Sequence, residues 1–146
     1  KCEAGKTPAC QAALIREIYA KNDWAHAVIM TRSPNVMAFA CTGTELDSRT
    51  IPESYIQLRD IPFVSCKEFM ENPSSVVAKI TPATPVVIIE SCGVLTVGKH
   101  LTEAFDRLEV ADFTANCIRL AARIGEFKPI TEQQVQDIIN AFNLPA

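Results

Sequence analysis

Apolar residues recur at two spacings along this chain, and their alternation sets its class. Leu14, Ile15, Ile18 and Tyr19 lie at i, i+1, i+4 and i+5, the stripe of an amphipathic helix. Thr7-Pro8 ahead of them carries a cap-then-proline signature, so the spacing predicts a helix from there to about Lys21. Residues 25–31 read as a strand. Ser33-Pro34 repeats the signature and opens a short helix over 35–40, closed near Gly43. From 43 to 62 the chain is polar and irregular, apart from a helical turn around 53–58. A short strand at 61–65 precedes a helical turn at 67–71, which Asn72-Pro73 should end. Val86-Val87-Ile88-Ile89, within 85–90, is a continuous β-branched run of the kind buried on both faces of a sheet. Gly93 and Gly98 bracket another strand at 94–97.

The longest periodic segment runs from Leu101 to Ile124, with Gly125 as its stop. Leu101, Ala104, Phe105, Leu108, Ala111, Ala115, Ile118 and Ala122 form one stripe, while Val110, Phe113, Cys117, Leu120 and Ile124 form a second. A helix apolar on two faces must bury both, one against its own sheet and the other against another subunit. Thr131 with Gln134 is a capping box for a last helix running to about Phe142. Strands alternating with helices predict an α/β domain of three layers, α/β/α. Four strands are few for a sheet covered on both sides, where about 5–6 is usual. An N-terminal portion is therefore expected upstream of Lys1.

Composition narrows the partners. The 146 residues are the size of one domain, with 48% hydrophobic and 21% charged positions, which disfavours disorder and coiled coil. Fourteen basic against seventeen acidic residues leave a net charge of -3, and there is no basic stripe, so nucleic acid is not an expected partner. No run approaches the roughly 18 apolar residues of a membrane span, and no apolar leader segment opens the chain. A cytoplasmic protein without a membrane partner is the expectation. Cysteines at 2, 10, 41, 66, 92 and 117 include no C-x-x-C, which excludes a zinc ribbon or a thioredoxin-like site. They read instead as buried, reduced thiols.

Candidate chemistry is sparse. His26 and His100 have structural readings, and spacing alone does not assemble the three ligands of a catalytic zinc. Gly5-Lys6-Thr7 lacks the remainder of a phosphate-binding loop. Cys92 stands out because it follows the buried strand at the end of the sheet where α/β folds place their sites. No base or cation adjoins it in sequence, so an inert thiol is the default.

Three segments nevertheless resemble the class II aldolase/adducin family, which includes the fuculose-, rhamnulose- and ribulose-phosphate enzymes. They are Lys6-Thr7-Pro8-Ala9-Cys10-Gln11, the stretch from Lys21 through Thr31-Arg32-Ser33-Pro34, and Glu90-Ser91-Cys92-Gly93-Val94-Leu95. The resemblance covers nearly all of residues 1–146 and implies the C-terminal two-thirds of a family domain of aldolase type. It also implies a homo-oligomer, a tetramer by family likeness, and a phosphorylated sugar as substrate. The family's signature is P-S-S-E, then H-T-H, then H-H-G or N-H-G, where three histidines bind zinc and the glutamate is the acid/base.

Carried over residue by residue, that signature is degenerate here. The paired serines fall on Ala9 and Cys10, the glutamate on Gln11, and the zinc histidines on Met30, Arg32 and Cys92, with Thr31 and Gly93 intact. A thioether is a soft ligand unsuited to catalytic zinc, an arginine has no lone pair to give, and a glutamine has no proton to shuttle near neutral pH. No metal and no cofactor are therefore expected. The sequence supports a scaffold, or a binder of small anionic or phosphorylated ligands with Arg32 as the gripping cation. Where Gln11, Met30, Arg32 and Cys92 merely fill a former pocket, Glu90 is the expected partner of that arginine. The alternative is a metal-independent lyase on a sugar phosphate, with Arg32 as the electrophile and Cys92 as an acid/base.

Overall fold

The computed structural model describes residues 3–9 and 11–144. A four-stranded sheet runs through it in the order β1 (Ala27–Thr31), β4 (Gly93–Gly98), β3 (Val86–Ile89), β2 (Phe63–Val64). β4 is antiparallel to both neighbours, and β2 lies parallel to β3. All four residues of β3 are at most 1% exposed, which is why the run shows no polar alternation.

Successive β3 side chains point to opposite cores. Val87 and Ile89 join Leu95 and Val97 against Leu14 and Ile18 of α1 (Ala12–Lys21) and Val76 and Val77 of α5 (Pro73–Ala78). Val86, Ile88 and Val94 face Val36 and Phe39 of α2 (Pro34–Thr42), Leu58 of α3 (Pro52–Leu58), and Ala111 and Ala115 of α6 (Leu101–Ile124). Helix layers therefore cover both sheet faces, and the three-layer α/β/α architecture expected from the sequence is present. α4 (Cys66–Glu71) follows β2 directly. α7 (Glu132–Phe142) packs on α3, its start fixed by the Thr131–Gln134 capping box. Among the described residues, no helix is long and apolar enough to cross a membrane.

Several boundaries differ from the sequence expectation. α1 starts at Ala12, with Gln11 at its N-cap, rather than at Thr7-Pro8. Residues 3–9 are exposed and turn at Gly5, so nothing holds a helix together before Leu14 reaches the core. Pro73 does not simply end a helical turn. It is the first residue of α5, and Asn72 serves both as the last cap of α4 and the first of α5. β1 begins at Ala27 and β2 is only two residues long. Leu101 and Phe105, read as part of the inward stripe of α6, are 67% and 52% exposed. The first turn of α6 extends past the sheet, so only Ala104 of that turn is buried. Cys41, expected to be buried, is exposed on α2 beside the buried Ala40.

Candidate functional site

The end of β1 and the β3–β4 turn meet at one corner of the sheet. Thr31 pairs with Val94, so the two family-like segments lie side by side. Ile89 accepts the Cys92 N–H at 3.0 Å across the turn, with Ser91 in the left-handed region at φ 51°. Gly93 follows at φ 148°. A Cβ there would stand 2.3 Å from the Thr31 carbonyl oxygen, so only glycine lets the turn approach β1 this closely. The sequence patterns Thr31-Arg32 and Cys92-Gly93 are thus brought together by a contact that demands the intact glycine.

Met30 packs against the α1/α5 core, opposite Leu95. Arg32, one residue past the strand, is exposed rather than buried, and its Nε donates to the Cys92 carbonyl at 3.3 Å. The expected Arg32–Glu90 pair does not form. Glu90 Oε2 instead accepts the Cys66 N–H at 3.0 Å, at the first residue of α4. Exposure leaves Arg32 hydrated, so it needs no carboxylate to be stable there.

Cys92 is half-buried, and its Sγ lies 3.6 Å from that of Cys66. Burial pushes the Cys92 thiol above its ordinary pKa. The hydrogen bond and charge of Cys66 push the same way, as does the Glu90 charge, while nearby Arg32 opposes them.

The remaining predicted site residues stand apart from this corner. Gln11 caps α1 by position without a side-chain cap bond, and among the described residues no hydrogen bond joins it to Arg32 or Cys92. Ala9 is exposed and accepts the Ala12 N–H at 2.9 Å. Cys10 lies outside the described residues.

A cleft of about 550 Å³ opens beside Arg32, between the β1–α2 junction and the outer side of α6, where Phe105, Asp112 and Phe113 line it. Sequence reasoning missed Asp112. Its carboxylate accepts hydrogen bonds from Ser33 Oγ, from Asn35 N at 3.1 Å and from Asn35 Nδ2 at 2.8 Å. Ser33 therefore does not cap α2 with its own side chain, and the carboxylate from α6 supplies that acceptor. Burial pushes the Asp112 carboxyl up, but these hydrogen bonds and the backbone N–H groups of Asn35 and Val36 hold it below the usual carboxylate range. No local signal announces a cap supplied from 77 residues away.

A second cleft, of about 500 Å³, lies by α3 and the start of α7. There Arg49 bridges Asp47 at 2.9 Å and Glu132 at 2.7 Å. Arg59, 9% exposed, lies 5.4 Å from the centre of the Tyr55 ring, and its buried Nη1 has no hydrogen-bond partner among the described residues.

The donors at the β1/β3–β4 corner do not fit the zinc of the family signature. Where the resemblance places the three ligands there are a thioether, a guanidinium and one thiol, and a guanidinium has no lone pair to offer. Among the described residues, no three His, Cys, Asp or Glu side chains gather to hold a metal ion.

The family model for the Class II Aldolase and Adducin N-terminal domain matches residues 2–118. The chain is 32% identical over 101 residues to an L-fuculose phosphate aldolase of Methanococcus maripaludis strain C7, covering 66% of this chain and 52% of that protein. A second, from strain C5, is 28% identical over 115 residues, covering 75% and 60%. The chain thus spans roughly half the length of these relatives. Among solved structures, YgbL of Escherichia coli superimposes with a TM-score of 0.79 at 17% identity, over 92% of this chain and 67% of that one. An L-fuculose 1-phosphate aldolase from Glaciozyma antarctica PI12 gives 0.74 at 17%, over 95% and 54%. With four-fifths of its length, all four strands included, inside the match to the family model, the chain belongs to the class II aldolase and adducin family.

Proposed function

We propose that this chain retains the aldolase scaffold as a binder of small anionic or phosphorylated ligands and has lost zinc-dependent carbon–carbon cleavage. The observation that carries this reading is the state of Arg32. It is exposed at the mouth of a cleft, and among the described residues the one hydrogen bond of its guanidinium is donated by Nε, which leaves the Nη donors for a ligand. A guanidinium so placed offers the planar fork that grips phosphate or carboxylate. The loss of cleavage rests on residue chemistry: Gln11 has no titratable group in place of the family acid/base, and Met30 and Arg32 do not replace zinc ligands.

The test is calorimetric titration with dihydroxyacetone phosphate and inorganic phosphate, alongside elemental analysis for zinc. Saturable binding that Arg32→Ala abolishes, with no stoichiometric zinc, is the expected result. Stoichiometric zinc, or binding unchanged in Arg32→Ala, refutes the reading.

Self-association belongs to the same proposal, with a second copy of this chain as the occupant of the outer side of α6. Phe105, Phe113, Leu120 and Ile124 are 52%, 51%, 44% and 89% exposed along that side. Large apolar side chains gathered on one exposed helix side mark an interaction surface on a soluble protein.

A further inference from the structure

We propose that Cys66 and Cys92 are a disulfide-forming pair, a site of reversible oxidation by hydroperoxides that does not depend on ligand binding at Arg32. The two residues sit at the ends of adjacent parallel strands, Cys66 two residues beyond Val64 and Cys92 three beyond its partner Ile89. Their Sγ atoms are 3.6 Å apart, already in contact. Each main chain is held by its own hydrogen bond, Cys66 N–H to Glu90 and Cys92 carbonyl to Arg32. The turn behind Cys92 is fixed by Gly93 against β1. The backbones are therefore placed in advance, and what remains is a side-chain rotation that closes the sulfurs to bonding distance, about 2.05 Å. Neither thiol is sealed off, since both residues are only partly buried.

The chemistry balances with a hydroperoxide as the only added reagent. One cysteine thiolate attacks the peroxide, the O–O bond breaks, and a sulfenic acid forms with release of hydroxide. The second thiolate then attacks that sulfur, the S–O bond breaks, and the hydroxyl leaves as water once protonated. Two cysteine sulfurs lose two electrons and the peroxide gains them. Thiol reductants reverse the bond by exchange. A closed bond would tie the β3–β4 turn to the first turn of α4, across the corner where Arg32 stands.

The experiment treats the whole chain with hydrogen peroxide, alkylates the remaining thiols and digests with trypsin without reduction. Cleavage after Arg59, Lys67, Lys79 and Lys99 leaves Cys66 alone in 60–67 and Cys92 alone in 80–99, so the two mark each other unambiguously. The expected result, from monomer isolated under non-reducing conditions, is 60–67 joined to 80–99, lighter by two hydrogen atoms and separated by dithiothreitol. The alkylatable fractions of Cys66 and Cys92 should fall together, and Cys66→Ser should keep the Cys92 peptide unlinked. Recovery of both peptides separately alkylated, at a peroxide dose that oxidises the exposed Cys41, overturns the proposal. So does linkage of either cysteine to another partner in preference. The wild-type measurement decides the question even if the Cys66→Ser variant fails to fold.

Discussion

Gly93→Ala isolates the contact on which the candidate site depends. The added Cβ would lie 2.3 Å from the Thr31 carbonyl oxygen and 3.2 Å from its carbon, both backbone atoms of a paired strand that cannot swing aside. The residue would also keep φ at 148°, a region that side-chain-bearing residues rarely adopt. Strain of that kind costs about 1–3 kcal/mol, and forcing a methyl group into packed surroundings costs about 1–3 kcal/mol more. The sum, about 2–6 kcal/mol, is a large part of the 5–15 kcal/mol typical of a domain. Gly43→Ala is the control: it has φ at 68° but nothing within 4 Å of the added methyl group. That variant meets the backbone term alone, about 1 kcal/mol. Urea titrations followed by circular dichroism measure both, and a lower midpoint at an unchanged slope reports stability alone. If Gly93→Ala is no less stable than Gly43→Ala, the close approach of the turn to β1 is not what holds Cys92 beside Arg32.

Three further predictions test other parts of the structure. Ser54 Oγ and Thr114 Oγ1 hydrogen-bond at 2.7 Å with both residues fully buried. Ser54→Ala should therefore cost about 1–3 kcal/mol by stranding the Thr114 hydroxyl, and adding Thr114→Val should recover part of it, a non-additivity that a double-mutant cycle in urea will show or exclude. Asp112 has a lowered folded pKa, so its contribution is fully present above the unfolded value of about 3.9 and is lost as pH falls through the folded one. Stability of the native chain should fall more steeply than that of Asp112→Asn below about pH 4, and parallel curves would remove Asp112 as the α2 cap. Phe105→Glu with Phe113→Glu should convert an oligomer to a monomer in light scattering while leaving the circular dichroism spectrum unchanged, because both side chains are more than half exposed.

Much of the architecture is written in local patterns. The β-branched run 86–89, the Thr131–Gln134 box and the extent of α6 each carry their own signal, and each appears where that signal places it. The family resemblance was equally legible, carried by the segments around Thr31 and Gly93, and the family model matches residues 2–118. The start of α1 was not legible, since Thr7-Pro8 satisfies the rules for a helix start yet nothing buries residues 3–9. Nor were the partners of the site residues. Arg32 found a backbone carbonyl instead of Glu90, and Glu90 found Cys66.

The sequence by itself determined the layers and the strand that is apolar throughout. Those follow from residue type and short-range periodicity, which act within a few residues along the chain. Only the tertiary structure decided that Asp112 caps α2 from α6, that Cys66 meets Cys92, and that Arg32 stands exposed with one N–H engaged. These are contacts between residues 26 to 77 positions apart. Their existence depends on strand order and on how closely two backbones approach, which no local pattern of side chains encodes.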